Sequence, residues 1–158
     1  MSTETLAKSE MKQILVVTHG ELAFELIKTV EFVLGEKSAI VIKGVSFSPE
    51  GGFDALAGKI KTHLSEAEGG TVILTDMFGG TPSNVSLTFL EPGRVEVVTG
   101  VNLPMLLKLA AMKPGASLPG AVSAAKRAGR ENVVSASEIL TGGKASSRQV
   151  GGEEEESK

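Results

Sequence analysis

Cysteine is absent from the 158-residue chain. With it go disulfides, thiolate nucleophiles and most zinc sites, and the composition suits a reducing compartment. Histidine is scarce: His19 and His63 are the only two. The formal net charge is -3 and no dense cluster of Lys and Arg occurs, so the basic face that a nucleic acid or a membrane surface would need is missing. No apolar run approaches the roughly 20 residues of a membrane span, and the N-terminus lacks the basic-then-apolar pattern of secretion. The cytoplasm is therefore the expected location. Motifs are missing as well. Without a Walker loop or a G-x-G-x-x-G, nucleotide binding lacks its usual handle, and without a G-x-S-x-G elbow there is no α/β-hydrolase nucleophile. His63 has no histidine or cysteine at ligand spacing and reads as a solvated surface residue. No metal and no organic cofactor is expected.

What is present is a full core for one domain, at 41% hydrophobic residues. Residues 1–11 are polar and without periodicity, a loose extension. From Gln13 the text changes: Ile14-Leu15-Val16-Val17 is a continuous apolar run, too short for a helix and too uniform for a half-exposed strand. It predicts a central first strand with His19 at its C-terminal tip. Ala23, Ile27, Val30 and Leu34 then mark a helix stopped by Gly35. Ala39 to Phe47 predicts a second strand, and Phe53, Leu56, Ile60 and Leu64 the stripe of a second helix. Thr71-Val72-Ile73-Leu74 reads as a third strand covered on both faces, followed by a helix from Pro82 to about Leu90. Arg94 to Thr99 predicts a fourth strand. Helices over Met105–Met112 and Pro119–Ala128 follow, then a short fifth strand over Asn132–Ala136. Residues 141–158, Gly, Ser and charge ending in Glu153-Glu154-Glu155-Glu156, read as a solvated acidic tail. The domain proper is thus 12–140.

Repeated strand–helix alternation predicts an α/β fold with an open, mostly parallel sheet, right-handed crossovers and helices on both faces. In the order 2-1-3-4 the first and third strands flank the switch point, where such sheets bind ligands beyond strand C-termini. His19 ends the first strand and Asp76 the third.

Thr75-Asp76-Met77-Phe78-Gly79-Gly80-Thr81-Pro82-Ser83-Asn84 ends a buried strand, turns on two glycines and opens a helix. Thr81 before Pro82 is a helix start, with the hydroxyl at the N-cap and proline where its missing N–H costs nothing. Gly79, Gly80 and Thr81 would then seat an anion on free backbone N–H groups. Taken alone, the motif fits an ordinary βα connection equally well. His19 adds to it. A carboxylate accepting from one imidazole nitrogen leaves a lone pair on the other, so His19, Asp76 and the turn together describe phosphoryl transfer onto histidine. The same residues also fit a purely structural His19–Asp76 pair closing the top of the sheet. A receiver domain would need acidic residues beside the first strand to hold a cation, and that place reads Val17-Thr18-His19.

Three segments in order, Val17-Thr18-His19-Gly20, the loop from Thr75 to Asn84, and Gly100-Val101-Asn102-Leu103-Pro104-Met105-Leu106, resemble the mannose-family enzyme IIA component of the bacterial phosphoenolpyruvate-dependent sugar phosphotransferase system. The match runs from about Lys12 to Leu140. The resemblance implies a phosphotransferase in which His19 takes a phosphoryl group from the histidine phosphocarrier protein and passes it to a IIB component during sugar uptake. By position it makes Asp76 the orienting carboxylate and Thr81, with nearby backbone N–H groups, the phosphate-side contact. It also implies a homodimer in which the strand at Asn132–Ala136 pairs antiparallel on the neighbouring subunit, and peripheral association with a membrane sugar permease. Some relatives continue into a fused IIB domain; here the acidic tail takes that place, so a IIB partner is expected on a separate chain. The alternative is a regulatory binding module whose affinity follows the phosphorylation of His19, with no transport step.

Overall fold

The computed structural model describes residues 9–142. Four of the five expected strands form: β1 is Met11–His19, β2 Val41–Phe47, β3 Gly70–Thr75 and β4 Val95–Thr99. They form one sheet in the order β2-β1-β3-β4, every neighbouring pair parallel. The helices are α1 (Leu22–Leu34), α2 (Gly52–Glu66), α3 (Thr81–Leu87), α4 (Leu103–Ala110), α5 (Leu118–Glu131) and α6 (Ala136–Leu140).

Period-two alternation along the strands divides the core into two layers. Ile14 and Val16 of β1 and Val72 and Leu74 of β3 face α1, α4 and α5, meeting Val30, Leu106, Leu109 and Ala121. Leu15, Val17 and Ile73 face the other way, onto Leu56, Ile60 and Leu64 of α2 and Val85 of α3. All six residues of β3 are buried, which is why β3 carries no polar face in the sequence. Both β1 and β3 end at the same rim, at His19 and Thr75.

Three expectations are corrected. Met11, assigned above to the loose extension, begins β1 and is fully buried. It is drawn in because its N–H donates to the Ala116 carbonyl while Ser9 accepts from the Leu118 N–H, so the chain before β1 is tied to the start of α5. The strand expected over Asn132–Ala136 is not formed; residues 133–135 are irregular and α6 begins at Ala136. The start of the segment is tied to the end of α5 instead, the Val133 N–H donating to the Arg130 carbonyl and the Asn132 side chain to the Ala128 carbonyl. His63 is not a freely solvated surface group: among the described residues its enclosed Nδ1 finds no hydrogen-bond partner, the Glu66 carboxylate standing 3.8 Å away, and its carbonyl accepts from the buried Gln13 side chain. Gln13 lies near the start of β1, so His63 is at the end of the sheet away from His19. Residues 1–8 of the expected extension and 143–158 of the expected tail lie outside the described residues.

One contact absent from the sequence reading holds the second half of the chain together. The Asn102 side chain caps α4 by accepting from the Met105 N–H and donates to the Gly129 carbonyl on α5. A Cβ at Gly129 would stand 2.6 Å from Met105 Cγ, and Met105 is buried, so the helices meet at a distance only glycine allows. Gly129→Ala is expected to destabilise the fold by about 1–3 kcal/mol through overpacking, measured as a lower urea midpoint at an unchanged slope.

Candidate functional site

The rim where β1 and β3 end is built by strand alternation and two sharp turns. Thr18 points into the core layer under α1, where its hydroxyl accepts from the Ala23 N–H at 2.8 Å. His19, the next residue, therefore points to the opposite side of the sheet. Gly20 turns the chain away with φ 52°, and its N–H donates to the Phe47 carbonyl on β2. On β3 the Thr75 carbonyl accepts from the N–H groups of both Gly100 and Val101, which fixes the strand end just before Asp76.

Asp76 reaches across to β1. Its Oδ2 lies 2.7 Å from His19 Nδ1 and accepts from the His19 backbone N–H at 2.9 Å. Its Oδ1 accepts from the Met77 N–H at 2.9 Å. Burial pushes the carboxyl upward, but the hydrogen bonds from the His19 backbone and ring, the attraction to a protonated ring and the Met77 N–H outweigh it, and its pKa lies below the ordinary value of 3.8. A carboxylate at Nδ1 selects the neutral tautomer with the proton on Nδ1 and the lone pair on Nε2. The His19 side chain is 47% exposed against 14% for Asp76, so the imidazole is the accessible member of the pair.

The lowered pKa carries a stability consequence. Ionised Asp76 stabilises the fold fully at pH values above its unfolded-state pKa, and that contribution is lost as the pH falls through the lower folded-state pKa. Urea midpoints measured between pH 6 and pH 2 should fall below about pH 4, and Asp76→Asn should flatten that part of the profile.

The glycine turn lies against the same ring. Gly79 adopts φ 82°, and its carbonyl is pinned by the Asn84 side chain at 3.2 Å. Gly80 is extended and caps α3; a Cβ there would stand 3.0 Å from His19 Cε1 and 3.7 Å from Nε2. Among the described residues the backbone N–H groups of Gly79, Gly80 and Thr81 find no acceptor. Thr81 is the first helical residue and not the N-cap expected from the sequence, because Gly80 takes the extended conformation that ends the turn. The structure thus gathers His19, Asp76 and Gly80 around one imidazole, with Gly79 and Thr81 in the adjoining turn. Phe47 also meets the ring, at 5.7 Å between centroids and 80° between planes. By sequence Phe47 is only the end of a strand; its place opposite His19 in the parallel register of β1 and β2 is the signal that finds it. Asn84, too, stood in the motif without a role. Among the described residues no three His, Cys, Asp or Glu side chains gather into a metal site, and no helix is long and apolar enough to cross a membrane.

The family described as the phosphotransferase-system (PTS) fructose IIA component, EIIA-man, matches residues 13–126, a stretch that contains the whole of this rim. The chain belongs to that family. The sorbose-specific EIIA component of the PTS of Lacticaseibacillus casei is 32% identical over 131 residues, covering 82% of this chain and 94% of that protein. The mannose-specific EIIAB component of Escherichia coli is 34% identical over 124 residues, covering 76% of this chain and 38% of that protein, so the chain spans well under half of that longer relative. Among solved structures, the mannose/sorbose-specific IIA subunit from Enterococcus faecalis superposes with a TM-score of 0.67 at 25% identity, covering 78% of this chain and 92% of that one. The mannose-family resemblance read from the three sequence segments and the four-stranded order are both borne out. A sugar phosphotransferase system is the setting that family membership supports.

Proposed function

We propose that this EIIA-man protein is a phosphocarrier: His19 accepts a phosphoryl group from the histidine phosphocarrier protein and passes it to a IIB component during sugar uptake. The observation that carries the reading is the 2.7 Å contact between His19 Nδ1 and Asp76. It leaves the Nε2 lone pair as the nucleophile. That lone pair attacks phosphorus as the bond from phosphorus to the donor nitrogen breaks, the donor leaving as neutral imidazole. Positive charge that develops on the His19 ring is balanced by Asp76 through Nδ1, while the N–H groups of Gly79, Gly80 and Thr81 hold the phosphoryl oxygens. Donor and acceptor nitrogens are of similar basicity, so the group moves onward to IIB by the same in-line exchange. The step requires no metal or organic cofactor of the chain's own, because the donor arrives activated.

Two further elements belong to this reading. The cytoplasm is the compartment where the donor and IIB would meet the chain, with peripheral association at a membrane sugar permease. The functional unit is a homodimer in which the segment Asn132–Ala136 would pair antiparallel on the neighbouring subunit, a reading supported by the exposed apolar residues Val133, Val134, Ile139 and Leu140 in and beside that segment. Sedimentation equilibrium should return twice the chain mass, and Val134→Asp should lower it to the monomer.

The relay itself is tested with purified chain, phosphoenolpyruvate, enzyme I and the histidine phosphocarrier protein, reading intact mass under non-acidic conditions. One added phosphoryl group, removed on addition of a IIB component, is the expected result. A group that is acquired but relinquished to no IIB component would favour the regulatory-module alternative, and no gain from a donor shown to be competent would remove the assignment.

A further inference from the structure

Asp76 holds the His19 ring at one atom, and one hydrogen bond leaves a ring free to rock about it. Rotation about the bond from Cβ to the ring would swing Nε2 away from any fixed phosphorus position, and a half-turn would exchange the edges of the ring altogether. Two other groups bound that motion. Gly80 closes the Cε1 side, where even a Cβ would be at 3.0 Å. Phe47 stands 5.7 Å away, centroid to centroid, with its plane at 80° to the imidazole, an edge-to-face arrangement.

The Phe47 ring is itself well anchored. Its residue pairs with His19 in the β1–β2 register, its carbonyl takes the Gly20 N–H at 3.0 Å, and its side chain packs on the buried layer of Leu15, Val17 and Val45. The wall and the imidazole are therefore carried by adjacent, paired strands of one sheet, which fixes the distance between their backbones. Gly44, on the same strand, serves a different aromatic, Phe24, whose ring lies within 2.9 Å of where a Cβ would be; among the described residues it is Phe47 that stacks on His19.

We propose that Phe47 is a positioning residue for His19, an aromatic wall that restricts rotation of the imidazole and keeps the Nε2 lone pair in the direction of attack. The role rests on the phosphoryl-acceptor reading of His19. It acts on turnover and not on binding of the donor, because orientation of the reacting atom is a transition-state requirement.

The test compares wild type, Phe47→Leu and Phe47→Tyr as full chains, with the histidine phosphocarrier protein as phosphoryl donor. Phe47→Leu should lower the turnover number about 5- to 10-fold, the scale of one aromatic contact, with KM for the donor changed less than about twofold. Phe47→Tyr should keep the wild-type turnover number. In nitrogen-15 spectra of the unphosphorylated chain, wild type should show His19 as one tautomer, protonated at Nδ1, and Phe47→Leu should move the two ring shifts toward each other. Wild-type turnover in Phe47→Leu, or a loss carried wholly by KM, would overturn the proposal. If Phe47→Leu does not fold, Phe47→Met is judged by the same criteria. A wild type that takes no phosphoryl group refutes the phosphocarrier reading, and the tautomer spectra then decide the positioning role: unchanged shifts in the variant overturn it.

Discussion

Replacing His19 by Ala is expected to abolish phosphoryl labelling of the chain while leaving the fold intact. The expectation for labelling follows from the chemistry of the rim: His19 is the only imidazole there, since His63 lies toward the other end of the sheet with its Nδ1 enclosed. No cysteine exists to take its place. The expectation for the fold follows from what the side chain does not hold. It is half-exposed, and the backbone N–H of residue 19 still donates to Asp76 after the ring is gone. Labelling read by intact mass and stability read by urea denaturation should therefore separate completely, with the first lost and the second moved by no more than about 1 kcal/mol. Residual labelling of His19→Ala at the wild-type level would show that another residue accepts the group.

Asp76→Asn should lower the transfer rate about 100-fold or more, and the reason is more specific than the loss of a charge. Three donors converge on this carboxylate: the His19 backbone N–H and ring on Oδ2, and the Met77 N–H on Oδ1. Every one of them requires an acceptor, and a carboxylate offers acceptors on both oxygens. An amide offers one. If its oxygen takes the Oδ2 position, its NH2 meets the Met77 N–H; if it is flipped, its NH2 meets the His19 N–H and draws the ring into the tautomer with the proton on Nε2. The first orientation misplaces the loop before Gly79 and the second blocks the nucleophile. Single-turnover transfer from a fixed concentration of phosphorylated donor measures the effect, and a wild-type rate in Asp76→Asn would refute the orienting role.

Most of the scaffold that brings His19 to Asp76 was legible in the sequence, because it depends on short-range signals. Ile14 to Val17 and Val72 to Leu74 are buried on both faces and show as uninterrupted apolar text, and parallel pairing through helical crossovers leaves few topologies for such runs. Turn chemistry at Gly20 and Gly79 located the rim in the same way. What was not legible depends on contacts between distant segments. Met11 looks like part of a polar extension until Ala116 supplies its hydrogen bond. Gly129 looks like a helix-ending residue until Met105 and Asn102 are packed against it. Phe47 carries no motif at all, and its relation to His19 exists only in the register of two strands.

The segment after α5 is a different case. Val133 and Val134 have the β-branched character of a strand, which is why one is expected there. A strand needs an edge to pair with, and within one chain the backbone of this segment is engaged at its start by the end of α5. Local propensity reports what a segment favours when a partner is present, whereas the single chain reports its state without one.

The central claim is that the phosphoryl group resides on one atom, His19 Nε2. Phosphorus-31 and nitrogen-15 spectra of the chain, phosphorylated with phosphoenolpyruvate, enzyme I and the histidine phosphocarrier protein and kept above pH 8, test that claim directly. The account predicts a single phosphohistidine at His19 with the bond on Nε2, Nδ1 remaining protonated against Asp76. A phosphoryl group on Nδ1, or on any residue other than His19, would contradict it.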